Sequence, residues 1–146
     1  MYRHIMIPTE GSALSEKAIQ HGVALAKAVN ARVTALTASA PYHTLAVEPT
    51  GVAMDGPGAY QQRCQTIAGQ HLEVVRKAAA ASGVTCDTLH VEHDHPYQAI
   101  IDTAQERGCD VIVMASHGRR GIAAMVLGSE TVKVLTHSTI PVIVCR

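Results

Sequence analysis

Ile5-Met6-Ile7-Pro8-Thr9-Glu10-Gly11-Ser12 is the stretch on which the architecture turns. Three consecutive apolar residues stopped by proline read as a short strand buried on both faces. A polar turn follows, and Ser12 stands where a helix N-cap belongs. Leu14, Ala18, Gly22, Leu25 and Val29 then recur at spacings of three and four, one apolar stripe along a helix that stops near Asn30.

The same alternation runs outward to the end of the chain. Residues 33–38 read as a second strand. Residues 40–58 lose all periodicity among Pro41, Pro49, Gly51, Gly56, Pro57 and Gly58, a long connection of the kind that is either functional or disordered. Ala68, Leu72, Val75 and Ala79 mark a second helix ending near Gly83. Residues 84–91 form a third strand. Pro96 opens a third helix with the stripe Tyr97, Ile100 and Ala104, and Gly108 lies just past its end. A fourth buried strand spans 111–114, a glycine-rich segment 116–129, a short helix 130–137 and a last strand 141–144. Strict strand–helix alternation predicts a parallel sheet covered on both faces, here one domain over residues 1–146. Right-handed crossovers make it a doubly wound α/β protein, a three-layer α/β/α sandwich on a five-stranded parallel sheet. Ligands in such sheets sit beyond the carboxyl ends of the strands, where the strand order reverses. The loops after strands one and four are therefore the ones that matter.

Composition narrows the function classes. Twelve basic and twelve acidic side chains balance, leaving no long-range field to draw nucleic acid or an anionic membrane. Phe and Trp are absent and Tyr occurs four times, so the core is aliphatic and base-stacking platforms are scarce. Cys64, Cys86, Cys109 and Cys145 are scattered, with no CxxC pair, as expected of small buried thiols in a reducing cytoplasm. The start of the chain carries no signal-peptide pattern, and no apolar run approaches the ~20 residues of a membrane span.

The loop after strand four is Ala115-Ser116-His117-Gly118-Arg119-Arg120-Gly121, leading through Gly128-Ser129-Glu130-Thr131 into a helix. Free backbone N–H groups and the helix dipole gather at such a start, and an anion is stabilised there without net charge on the protein. Gly118 and Gly128 leave the backbone open to a phosphate, Ser129 is placed to cap the helix or to donate its hydroxyl, and Arg119 and Arg120 bring fork-shaped donors.

Gly118, nine residues and then Gly128-Ser129 match the later part of a G-x-x-G, nine residues, G-[ST] signature. With the opening 5–12 and the ending Ser138-Thr139-Ile140-Pro141-Val142-Ile143-Val144, this makes the chain resemble the nucleotide-binding branch of the universal stress proteins over its full length. Two positions depart from that pattern: Ala115 stands at the first glycine and Glu10 at the usual aspartate. The resemblance implies an adenine-nucleotide-α-hydrolase-like fold, its five strands in the order 3-2-1-4-5, that takes ATP, AMP or ADP, with Mg²⁺ arriving on the phosphates. It implies that Pro8, Thr9 and Glu10 line the nucleoside, that Ala38 offers backbone groups to the adenine edge, and that Met114 and Ala115 floor the site. Gly118, Gly128, Ser129 and Glu130 then hold the phosphates, with Arg119 nearby. It further implies a homodimer joined through the last strand at Val142, Ile143 and Val144, an adenine nucleotide as small-molecule partner and a downstream protein partner, with no nucleic acid and no membrane.

The expected function is a dimeric stress-response protein that binds nucleotide. The rivals are a dimeric interaction protein that binds none, and a slow ATP hydrolase. No general base, arginine finger or Walker-type lysine is identifiable, and GxSxG is absent. His117 reads as a structural or ligand-lining residue before it reads as an acid–base catalyst. His93 and His95 share one face of an extended segment but lack an identifiable third ligand, so no metal site is expected.

Overall fold

The computed structural model describes residues 1–42, 56–118 and 126–146. Its elements run β1 (His4–Pro8), α1 (Ala13–Val29), β2 (Arg32–Ser39), α2 (Pro57–Ala81), β3 (Cys86–Glu92), α3 (Pro96–Glu106), β4 (Val111–Ala115), α4 (Ser129–His137) and β5 (Val142–Cys145). All strand pairs are parallel and the order is β3-β2-β1-β4-β5.

Alternate residues of each strand feed two separate cores, because successive side chains point to opposite faces of a sheet. Ile5, Ile7, Val33, Ala35, Val111 and Val113 face α1 and α2, meeting Ile19, Val23, Leu72 and Val75. Met6, Leu36, Ile112 and Met114 face α3 and α4, meeting Ile100, Ala104 and Val134. β1, flanked on both sides, has no solvent-facing residue before Pro8. That is why it reads as an unbroken apolar run.

Helix α1 starts and stops as its residues dictate. The Ser12 hydroxyl accepts from the Ser15 amide at 3.1 Å, and Asn30 ends the helix in the left-handed region at φ 58°.

Several boundaries shift from expectation by a residue or more, β5 among them, which runs Val142–Cys145. β3 begins at Cys86 and not at residue 84, because the Val84 amide is spent on the Ala79 carbonyl, closing α2. α2 already starts at Pro57, inside the expected connection, with proline in its first turn. α4 starts at Ser129 with Gly128 as its N-cap, so Ser129 is the first helical residue and not the cap.

Candidate functional site

β1 pairs β2 on one side and β4 on the other, so the chain leaves the sheet in opposite directions after these strands. A cleft of about 510 Å³ opens at that divergence, within the size range of small-molecule sites.

Its first wall is the β1–α1 turn. The Thr9 amide donates to the Leu36 carbonyl at 2.9 Å, and Thr37 Oγ1 donates to the Thr9 carbonyl at 2.9 Å. Thr9 Oγ1 accepts from the Gly11 amide and donates to Ser15 Oγ, both at 3.2 Å. Thr9 therefore shapes the cleft with a hydroxyl already committed to the turn. Gly11 has φ +80°, and a Cβ there would run into the His71 ring of α2, so this turn needs glycine twice over. Between them Glu10 reaches into the cleft, and its Oε1 is buried with no hydrogen-bond partner among the described residues.

The second wall is the β4–α4 connection. The Ser116 amide donates to the Cys145 carbonyl of β5, and the Ser116 carbonyl accepts from the Gly128 amide, each at 2.8 Å. The two ends of the connection are thus drawn together over the cleft. A Cβ on Gly128 would lie 2.9 Å from His117 Cα, so this glycine is required by the approach of protein backbone. Its φ of −62° suits any residue. Gly118 differs: a Cβ there would lie at ordinary contact distance, 3.6 Å from Glu10 Cδ, on the cleft side. His117 also lines the cleft, with Nδ1 3.1 Å from Ser116 Oγ.

Ala115, where the signature has glycine, sits within β4 opposite Cys145. Among the described residues Asn30 is the only non-glycine with positive φ, so the alanine is unstrained. The position calls for a small residue, and a methyl group fits.

Helix α4 points its first turn into the cleft, and its N-cap, Gly128, brings no side chain to cap it. Ser129 stands exposed at its first position. The Thr131 hydroxyl, buried, donates to the Ala115 carbonyl at 3.0 Å and fastens this turn to the end of β4. Glu130 lines the cleft as well, yet its carboxylate is engaged elsewhere: Oε2 accepts from the Tyr97 amide of α3 at 2.9 Å.

The remaining wall is apolar. Leu36, Ala38 and Met114 rise from the sheet, and Pro96 and Ile100 lean in from the first turn of α3. Beside it, Tyr60 of α2 donates its hydroxyl to the Ala40 carbonyl at 2.6 Å, two residues beyond Ala38, and holds the exit of β2. Burial, and next the neighbouring Cys64 thiol, pushes the Tyr60 phenol up to about 12.

The cleft thus gathers Pro8, Thr9, Glu10, Ala38, Met114, Ala115, Gly118, Gly128, Ser129 and Glu130. Arg119, Arg120 and most of the 40–58 connection lie outside the described residues. Sequence reasoning missed Leu36, Pro96, Ile100 and Thr131. Leu36 reads as part of the second strand, Pro96 as a helix opener, Ile100 as core stripe and Thr131 as ordinary helix, since a contact sixteen residues away leaves no local pattern. His93 and His95 stay outside the cleft, where His93 Nδ1 accepts from the His95 amide at 2.9 Å in the turn before α3. Val142, Ile143 and Val144 lie on β5, a sheet edge, with Ile143 exposed.

Comparison with known proteins places this geometry. The model of the universal stress protein family matches residues 1–146. The universal stress protein MJ0531 of Methanocaldococcus jannaschii is 30% identical over all of this chain and 83% of its own length. The solved structure of MJ0577 from the same organism superposes with a TM-score of 0.80 at 26% identity, covering 99% of this chain and 96% of that one. A universal stress protein solved in complex with cAMP gives a TM-score of 0.71 at 24% identity over 99% and 97% of the two chains. With a family match along its whole length, this chain belongs to the universal stress protein family.

Proposed function

We propose that this protein binds an adenine nucleotide (ATP, ADP or AMP) in the β1/β4 cleft and acts as a homodimeric stress-response signalling protein of the cytoplasm. The observation that carries the reading is the start of α4 at the cleft, with a glycine as its N-cap and that glycine bonded to the Ser116 carbonyl. Backbone N–H groups and the helix dipole at that start suit a phosphate. The apolar wall of Leu36, Met114, Pro96 and Ile100 suits a base, with Ala38 at its edge. Glu10 Oε1, buried and unpartnered among the described residues, offers an acceptor to a ribose hydroxyl or to Mg²⁺ carried on the phosphates. The cAMP complex of a relative supports the same ligand class.

Dimerisation follows from the edge. Among the described residues β5 pairs only with β4, and its Val142, Ile143 and Val144 leave one row of backbone groups to be matched by a second copy about a two-fold axis.

Calorimetry with AMP, ADP, ATP and Mg-ATP tests the ligand. Stoichiometric heat is expected from at least one, and silence up to millimolar concentration rejects the reading in favour of the interaction protein. Light scattering on the same sample is expected to give twice the chain mass.

A further inference from the structure

Helix α3 begins with Pro96 in its first turn, and its N-cap His95 makes no side-chain cap. Its first turn is nevertheless supplied with an acceptor. The Tyr97 amide donates to Glu130 Oε2 at 2.9 Å, across thirty-three residues of sequence. The other oxygen, Oε1, lies 3.4 Å from Lys133 Nζ on the same helix. The carboxylate thus caps α3 from α4, with its negative charge at the positive end of the α3 dipole. The consequence for the cleft is specific. Pro96 and Ile100 on α3 supply part of the apolar wall, while residues 128–131 on α4 supply the anion seat. Glu130 is the side chain that bonds one to the other.

Building on the nucleotide reading, we propose that Glu130 is a positioning residue: its bond to the Tyr97 amide sets the α3 wall against the α4 seat, so that base and phosphate are received together. The Glu130–Lys133 ion pair is exposed and contributes little. The contact that matters is the charge-assisted bond to the backbone, worth ~1.5 kcal/mol or more.

The test compares wild type, Glu130→Ala, Glu130→Gln and Lys133→Ala by calorimetry with adenosine and AMP, and by hydrogen exchange of the Tyr97 amide without ligand. Glu130→Ala is expected to weaken adenosine and AMP alike by about tenfold, because the wall that loses its anchor faces the nucleoside. Glu130→Gln keeps a neutral acceptor and is expected to fall only about threefold. Lys133→Ala is expected to match wild type. Tyr97 exchange is expected to speed up in Glu130→Ala and to slow again in Glu130→Gln. Unchanged Tyr97 exchange in a folded Glu130→Ala overturns the inference, as does an unchanged affinity. A gain for AMP over adenosine in either Glu130 variant also overturns it, since Glu130 would then act by charge on the phosphate. Absence of heat with wild type rejects the nucleotide reading itself, and this inference with it.

Discussion

Gly128→Ala isolates the steric requirement on which the open end of α4 depends. Its backbone angles, φ −62° and ψ 152°, are comfortable for alanine, so the substitution carries no dihedral strain. The new methyl, however, would stand 2.9 Å from His117 Cα and 3.0 Å from His117 Cβ, against main chain that cannot rotate away. Relief requires the ends of the β4–α4 connection to part, at the expense of the 2.8 Å bond from the Gly128 amide to the Ser116 carbonyl. Overpacking of this kind costs ~1–3 kcal/mol. The lower backbone entropy of an unfolded alanine returns ~0.4–1 kcal/mol. A net loss near ~1.3 kcal/mol remains, which lowers the Tm of a chain this size by about 4 °C. Gly118→Ala is the matched control. Its methyl has Glu10 as nearest neighbour, at an ordinary 3.6 Å, so the same ~0.4–1 kcal/mol from the unfolded chain should leave its Tm about 1–3 °C above wild type while its affinity for AMP falls, because the methyl enters the cleft. Thermal melts by circular dichroism, followed by calorimetry, read both arms. A Gly128→Ala protein that melts with wild type would refute the steric argument, and equal destabilisation by both substitutions would do the same.

Two further outcomes follow from buried groups away from the cleft. His4, 4% exposed and bonded through Nε2 to Thr34 Oγ1 at 2.7 Å, titrates below its usual 6.5, chiefly through burial and next through the Arg32 charge. Arg107, Asp110 and Asp87 act in the opposite sense and are outweighed. The unfolded chain therefore takes up this proton first, so stability is full above about pH 6.5 and falls as the pH drops below it, with a slope approaching ~1.4 kcal/mol per unit. Urea melts across that range should show the gap between wild type and His4→Gln narrowing as the pH falls, and parallel profiles would contradict the assignment. Tyr60→Phe removes the 2.6 Å bond to the Ala40 carbonyl at the exit of β2. It should cost ~1 kcal/mol and delete a tyrosine titrating at about 12 from an ultraviolet titration, and a variant with unaltered stability would deny Tyr60 that role.

Periodicity carried the architecture because both of its physical causes are local. Ile5-Met6-Ile7 is apolar throughout since β1 is covered on both faces, and the stripe from Leu14 to Val29 repeats because one side of α1 rests on that sheet. Alternating elements with right-handed crossovers then leave few strand orders open, so the loops after β1 and β4 could be singled out from residues alone. The Gly118 and Gly128-Ser129 spacing was legible for a similar reason: the need for small residues at a close approach falls on fixed positions of one continuous segment.

What remained hidden depends on residues far apart in the chain. A carboxylate at 130 has no local mark that assigns it to the amide of Tyr97, and a serine after two strand-to-helix glycines reads as a cap until the fold makes Gly128 the cap instead. Nor could spacing distinguish the two glycines of the signature, one required by the His117 backbone and the other bordering open space beside Glu10. Pattern along the chain records which face of each element is buried. The partner of a single polar atom is settled only when elements from both halves of the chain converge, because a hydrogen bond acts over three ångströms of space whatever the separation in sequence.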